Sequence, residues 1–138
     1  MSTFQIPKGL FDIIPHDPKE PWKSVNLWQL IEKQARELAQ LYHFKEIRTP
    51  MFEKTDLFCG TSGESSDIVS KEMYSFLDKA DRSMTLRPEG TAPVMRCVIE
   101  KNLLQTQRLL KLFYIQPMFR YGRQQAGRYR QQIGRAHV

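Results

Sequence analysis

Five of the eight prolines fall in the first fifty residues, and they leave one long stretch there open to helix. Pro7, Pro15, Pro18 and Pro21 punctuate the segment from Phe4 to Pro21. Each lacks a backbone donor and biases the residue before it toward extended geometry, so this segment reads as irregular. The next proline after Pro21 is Pro50. Between them Val25, Trp28, Ile31, Ala35, Leu38 and Tyr42 recur at three- and four-residue spacing, while Lys23, Glu32, Lys33, Arg36 and Glu37 fall on other faces. That period predicts an amphipathic helix from about Pro21 to Tyr42, one face packed and the other in water. His43 breaks the pattern, Lys45 to Arg48 reads as a short strand, and Pro50 keeps helix from forming there.

The chain has 138 residues, 41% of them apolar and 26% charged, which suits one packed unit and excludes a disordered tail or a fibrous repeat. Cys59 to Ser66 is small and polar, the composition of a loop. It has neither the lysine nor the glycine spacing of a phosphate-binding P-loop. Met73–Leu77 and Ser83–Leu86 read as the strands of a hairpin around the turn residues 78–82. Thr91 reads as the N-cap of a second helix, with Pro93 in its first turn and Val94, Cys97 and Val98 on one face. Leu109 to Ile115 reads as a buried strand, and Arg120 emerges beyond it.

Charge is unevenly divided. From Met1 to Leu104 there are 14 Lys and Arg against 15 Asp and Glu, whereas Gln105 to Val138 holds seven cations and no carboxylate. The whole formal excess of +6 is therefore C-terminal. A segment of one sign attracts phosphate; the other reading is a surface whose acidic partners lie elsewhere. Cys59 and Cys97 have no C-x-x-C spacing and no histidine pair beside them. They read as buried, reduced thiols, not as a zinc site or a disulfide framework. His16, His43 and His137 are isolated, and no metal site is expected. The first twenty residues carry five charges, and no apolar run approaches a membrane span, so the expectation is a cytoplasmic protein without membrane contact.

Two clusters invite a chemical reading. Arg87-Pro88-Glu89-Gly90-Thr91 brings a carboxylate and a hydroxyl to a strand-to-helix corner, able to hold an ammonium group. Arg120 begins a glycine-punctuated run with four arginines up to Arg130, whose rigid guanidinium forks match phosphate oxygens. The structural alternative is equally open: Glu89 stabilises a helix dipole, and the arginines pair with carboxylates elsewhere.

In order along the chain, five sets of residues resemble the histidyl-tRNA synthetase family. They are Lys8-Gly9-Leu10 with Asp12 and Pro15; Phe44-x-x-Ile47-x-x-Pro50; and Gly63-Glu64 through Lys71-Glu72-Met73-Tyr74-Ser75-Phe76. Then come Leu86-Arg87-Pro88-Glu89-Gly90-Thr91, and Met118-Phe119-Arg120 with Gly127-Arg128-Tyr129-Arg130. The resemblance runs from about Ile6 to Gly134. It implies an α+β fold, the antiparallel sheet with flanking helices of a class II aminoacyl-tRNA synthetase, here incomplete. Residues 1–134 would be the N-terminal part of the catalytic domain, followed by an unmatched tail, 135–138. Motif 1, about 21–50, would build a homodimer interface, for which the apolar stripe serves as well as for an ordinary core. Motif 2, about 108–131, would be two antiparallel strands whose loop meets ATP and the acceptor end of tRNA(His).

The implied activity is ATP-dependent conversion of histidine to histidyl-adenylate, with Mg²⁺, and transfer to tRNA(His). Arg120 would be the catalytic residue, stabilising the charge that builds on the α-phosphate. Glu89, Gly90, Thr91, Arg120 and Gln132 would receive L-histidine, and Arg120 and Arg128 would receive ATP. The alternative is a histidine-binding regulatory subunit of ATP phosphoribosyltransferase. With no counterpart of the family's downstream segments in 138 residues, the chain alone is expected to be inactive. Two departures stand out. Gly122 occupies the position where motif 2 carries a carboxylate. Gln131 runs directly into Gln132-Ile133-Gly134, so that an aromatic residue and a histidine are missing. If two residues are absent, Gln132 inherits the histidine-binding position; if the chain diverges after Gln131, it inherits none.

Overall fold

A computed structural model of the chain describes residues 4–61, 72–105, 109–123, 125 and 127–137. Pro21–Lys23 form one 3₁₀ turn, Ser24 is extended, and helix α1 runs over Val25–Leu41. His43, at φ 63°, reverses the chain while its N–H and that of Phe44 bond back to Gln40 and Ala39, releasing strand β1, Lys45–Glu46. The helix lies where its period predicts, but its packing differs from expectation. Its one buried residue is Ala39, and Ile31, Leu38 and Tyr42 are each more than half exposed. The side turned toward β1 is charged: Arg36 donates to Glu32 and Glu46, and Glu46 also accepts from Arg48. β1 offers a carboxylate at that point, so α1 settles with Arg36 toward the strand and leaves most of the apolar stripe uncovered.

β1 pairs in parallel with β5, Leu112–Phe119, and β5 pairs antiparallel with β6, Gln131–His137, in unbroken register from Phe113 opposite His137 to Phe119 opposite Gln131. Residues 135–137 thus continue β6. A second sheet, in the order β2-β4-β3, is antiparallel throughout: Phe52–Lys54, Ser83–Leu86 and Tyr74–Leu77. The mixed α+β character and the hairpin follow expectation. β5 starts at Leu112 instead of Leu109, which stands 70% exposed, because β1 first offers a partner there. Helix α2, Thr55–Thr61, corrects the loop reading for Cys59 to Thr61; buried Phe58 anchors it. The rest of that run, 62–66, lies outside the described residues, as do Gly63-Glu64, Lys71 and Arg108. Both cysteines are free and half-buried, not fully buried as expected.

Helix α3, Thr91–Glu100, lays Val94 and Val98 on Leu112, Tyr114 and Met118 of β5, with Ile47, Leu103 and Leu110 around them. Leu112, Tyr114, Gln116 and Met118 alternate along β5 and are all buried, as one pleated face must be when a helix covers it. Arg87, 3% exposed, joins the two sheets. Its guanidinium donates to the carbonyls of Thr49, Pro50 and Pro117 and to the Gln116 side chain. Gln116 in turn donates to Ile47 O, 3.0 Å. Among the described residues no helix is long and apolar enough to cross a membrane.

The β3–β4 turn carries a pH prediction. The Asp78 carboxylate accepts from the backbone N–H of Arg82 at 3.0 Å, from that of Ala80 at 2.8 Å, and from the Arg82 guanidinium. These bonds, the Arg82 backbone first, hold its carboxyl below the usual aspartate value. A depressed folded pKa contributes stability that is present above the unfolded value, about 3.9, and is lost as pH falls through the folded one. The Ala80 and Arg82 amide resonances are therefore expected to hold steady down to about pH 4 and to shift only below it. Titration of those amides nearer neutrality would contradict this.

Candidate functional site

Strand β5 ends at Phe119, and the chain leaves it under control from three sides. Phe119 N–H bonds to Arg87 O at 3.0 Å, Arg120 N–H to Arg130 O at 2.9 Å, and Tyr121 N–H to Glu72 O at 2.7 Å. Between the two strands, Arg128 N–H closes a turn on Gln125 O at 2.9 Å, with Gly127 at φ 78°, a conformation that glycine adopts without steric cost. Gln124 and Ala126 lie outside the described residues. The far side of the loop is pinned by aromatic rings: Tyr129 meets Phe11 at 4.8 Å and Trp22 at 5.6 Å, while the Arg130 guanidinium stacks 4.2 Å from the Tyr121 ring.

These contacts shape a polar cavity of about 340 Å³ lined by Glu72, Arg120, Gly122, Arg123, Gly127, Arg128, Tyr129 and Gln132. Arg120, Arg128 and Gln132, singled out from sequence, meet in it. Gln132 stands opposite Met118 in the register, so it shares the sheet face that carries Tyr114. Its amide donates to Tyr129 O at 3.0 Å. Among the described residues, three guanidinium groups and one carboxylate line the cavity and give it a positive balance, suited to a polyanion.

Glu89, Gly90 and Thr91 do not line this cavity, yet they adjoin it. Arg120 Nε donates to Pro88 O at 2.8 Å, which fixes the strand-end guanidinium beside the corner that begins α3. The helix is capped differently from the sequence reading. Thr91 is its first residue, and the Glu89 carboxylate accepts from the N–H groups of Thr91 and Ala92. The carboxylate reaches back onto the helix terminus from just outside it, so Thr91 is freed from capping. Burial pushes up the pKa of the Tyr114 phenol on the strand beneath, and the neighbouring Thr91 side chain opposes that shift. Gly90 is required by close approach: a Cβ there would stand 2.7 Å from the Tyr114 oxygen and nearer still to its ring carbons.

Two contributors were not legible from sequence. Glu72 sits inside a recognised run but has no chemical company there. Arg87 reads as part of an ammonium or phosphate cluster, whereas it is a buried clamp. A separate apolar groove of about 400 Å³ lies between α1 and the outer face of β5 and β6, lined by Trp22, Leu27, Trp28, Ile31, Ala35, Ile115 and Ile133 with Glu32 at its rim. Among the described residues no group of three or more metal-ligating side chains converges.

Fold and site together define an α+β domain with a strand-end arginine, an arginine loop and a carboxylate-capped helix around one anion cavity. The family model described as histidyl-tRNA synthetase matches residues 22–135, and the chain belongs to that family. It is 60% identical over 128 residues to a histidine--tRNA ligase of Protochlamydia amoebophila, covering 93% of this chain and 30% of the relative. A crystal structure of apo histidyl-tRNA synthetase from S. aureus superposes with a TM-score of 0.69 at 45% identity, covering 94% of this chain and 27% of that one. A structure named as an ATP phosphoribosyltransferase regulatory subunit/histidyl-tRNA synthetase from Bacillus halodurans gives the same TM-score at 26% identity, over 95% of this chain and 31% of that one. The chain thus spans about three tenths of the length of the curated relatives it matches.

Proposed function

We propose that residues 1–134 form the N-terminal part of the catalytic domain of a histidine--tRNA ligase, with motif 1 at about 21–50 and motif 2 at about 108–131. The observation that carries this reading is the position of Arg120, which lines the arginine cavity while its Nε is tied to the backbone beside Glu89. One guanidinium thereby touches both the phosphate side and the amino-acid side. ATP enters with Mg²⁺ on its phosphates, the metal travelling as part of the substrate. Arg128 holds the outer phosphates and Arg120 the α-phosphate together with the histidine carboxylate. Glu89 takes the α-amino group, and Gly90, Thr91 and Gln132 complete the amino-acid side.

A histidine carboxylate oxygen attacks the α-phosphorus, the bond to the bridging oxygen breaks, and pyrophosphate leaves. Negative charge grows on the phosphoryl oxygens, and a fixed guanidinium stabilises it without reorganisation. The terminal ribose hydroxyl of tRNA(His) then attacks the acyl carbon and AMP leaves. The loop around Arg123 faces the acceptor end. The uncovered apolar stripe of α1 would meet a second copy, and the setting is the cytoplasm. The alternative, a regulatory subunit that binds histidine alone, is favoured by Gly122 and by the likeness to the Bacillus halodurans structure; its 26% identity is well below the 60% shared with the ligase.

Calorimetric titration of the chain with ATP tests the reading. Binding is expected, and Arg120→Ala is expected to weaken it by about 30-fold, the worth of a charge-assisted contact. A chain that binds histidine but ignores ATP would belong to the alternative.

A further inference from the structure

We infer that Tyr129 is a positioning residue for Arg128: its ring, seated against Phe11 and Trp22, anchors the arginine loop to the segment before α1 and so sets how tightly the cavity holds a polyphosphate. This deepens the proposed function and rests on reading the cavity as the site of the ATP phosphates.

Arg128 itself is lightly held. It stands exposed, forms no ion pair with any described residue, and follows a glycine on which a Cβ would meet no described atom within 4 Å. A freely turning guanidinium loses rotamer freedom when it closes on an anion, and that loss is subtracted from affinity. Holding the backbone beneath it in advance reduces the loss. On the N-terminal side the backbone is closed by the turn to Gln125 O. On the C-terminal side the anchor is the next residue, Tyr129.

Four rings form one continuous cluster. Phe11 meets Tyr129 edge-on at 4.8 Å, Trp22 edge-on at 5.0 Å and Trp28 at 5.9 Å, and Trp22 also meets Tyr129 at 5.6 Å. An edge-on pair sets the positive rim of one ring on the negative face of the other, so it fixes orientation as well as distance. The backbone repeats the connection one residue on, where Arg130 N–H donates to Gly9 O at 2.8 Å. Trp28 Nε1 donates to Trp22 O at 2.7 Å, which ties the cluster to the first turn of α1. Among the described residues none of 4–22 lines the cavity, so this segment acts on it through Tyr129.

The competing role for Tyr129 is packing alone, and two readouts separate the roles. Trp22 and Trp28 are the two tryptophans of the chain, so intrinsic tryptophan emission reports on this cluster. Titration of the 138-residue chain with inorganic tripolyphosphate is expected to change that emission, with the midpoint that calorimetry gives. Tyr129→Ala is expected to weaken tripolyphosphate about fivefold, the worth of one ordered side chain, and to silence the emission response. Tyr129→Phe keeps the ring and should restore both. Phe11→Leu removes an edge-on partner while filling most of its volume, so it decides the matter if the alanine variant does not fold; about threefold weaker binding is expected of it. Combining Phe11→Leu with Tyr129→Ala should cost no more affinity than Tyr129→Ala alone, because both cut the same connection. Unchanged tripolyphosphate affinity in folded Tyr129→Ala or in Phe11→Leu, or a parent chain whose emission ignores bound tripolyphosphate, would overturn the assignment and leave the anion cavity standing. A parent chain that binds neither tripolyphosphate nor ATP would remove the cavity reading and this inference with it.

Discussion

Replacing Arg87 by methionine is expected to lower the unfolding free energy by roughly 4 kcal/mol, a large part of the 5–15 kcal/mol that holds an ordinary domain together. Among the described residues the buried guanidinium has no carboxylate partner, and burial pushes its pKa down from the usual arginine value. It is tolerated because its N–H groups have four acceptors on two elements: the β1–β2 connection through Thr49 O and Pro50 O, and β5 through Pro117 O and Gln116 Oε1. A buried ion pair can often be exchanged for apolar side chains at little cost, because both partners are removed together. That route is closed here. Three of the acceptors are backbone carbonyls that no substitution deletes, and each buried acceptor left without a donor costs about 1–3 kcal/mol. Methionine fills much of the volume and returns part of that. Arg87→Lys keeps the charge but loses the fork, and should fall between the two. Urea unfolding of the three chains measures this through the midpoint at unchanged slope. A methionine variant within about 1 kcal/mol of the parent would show that the clamp is dispensable.

Local periodicity made the elements legible and left their partners obscure. α1 is readable because proline punctuation and a 3.6-residue period agree over its whole length. Which face it buries depends on the carboxylate that Glu46 presents from β1, and no helical pattern contains that. β3 and β4 carry enough residues around a turn to declare a hairpin. β2 is three residues, Phe52 to Lys54, too short to show alternation, and it exists because β4 has a free edge to offer. At the site, Arg120 and Arg128 stand out because cations cluster in sequence. Glu72 does not, because Tyr121, whose N–H bonds to its carbonyl and brings it to the cavity, lies 49 positions away. The cap of α3 was read one step too far along: threonine beside a helix start is a strong signal, and it masks a glutamate two residues earlier whose longer side chain performs the capping.

That glutamate allows the cap and the substrate contact to be separated. The Glu89 carboxylate accepts from Thr91 N–H and, at 2.9 Å, from Ala92 N–H, one bond on each oxygen. An ionised carboxylate has about four acceptor positions, so about two remain for an ammonium group. The helix bonds also hold the side chain still, so little rotamer freedom is lost when substrate arrives. Glu89→Gln keeps one oxygen acceptor at the helix start and should lose only about 0.5 kcal/mol of stability, whereas Glu89→Ala should lose about 1–2 kcal/mol with the whole cap. For histidine the two variants should look alike. An ammonium group that loses its anionic partner forfeits about 1.5–3 kcal/mol, so histidine affinity is expected to fall roughly 50-fold in both. Imidazole propionate, which lacks the α-amino group, should bind all three chains equally. If Glu89→Gln holds histidine as tightly as the parent, the carboxylate serves the helix alone. In that case the structural alternative that the sequence left open, a glutamate placed for the helix dipole, is the correct one for this residue.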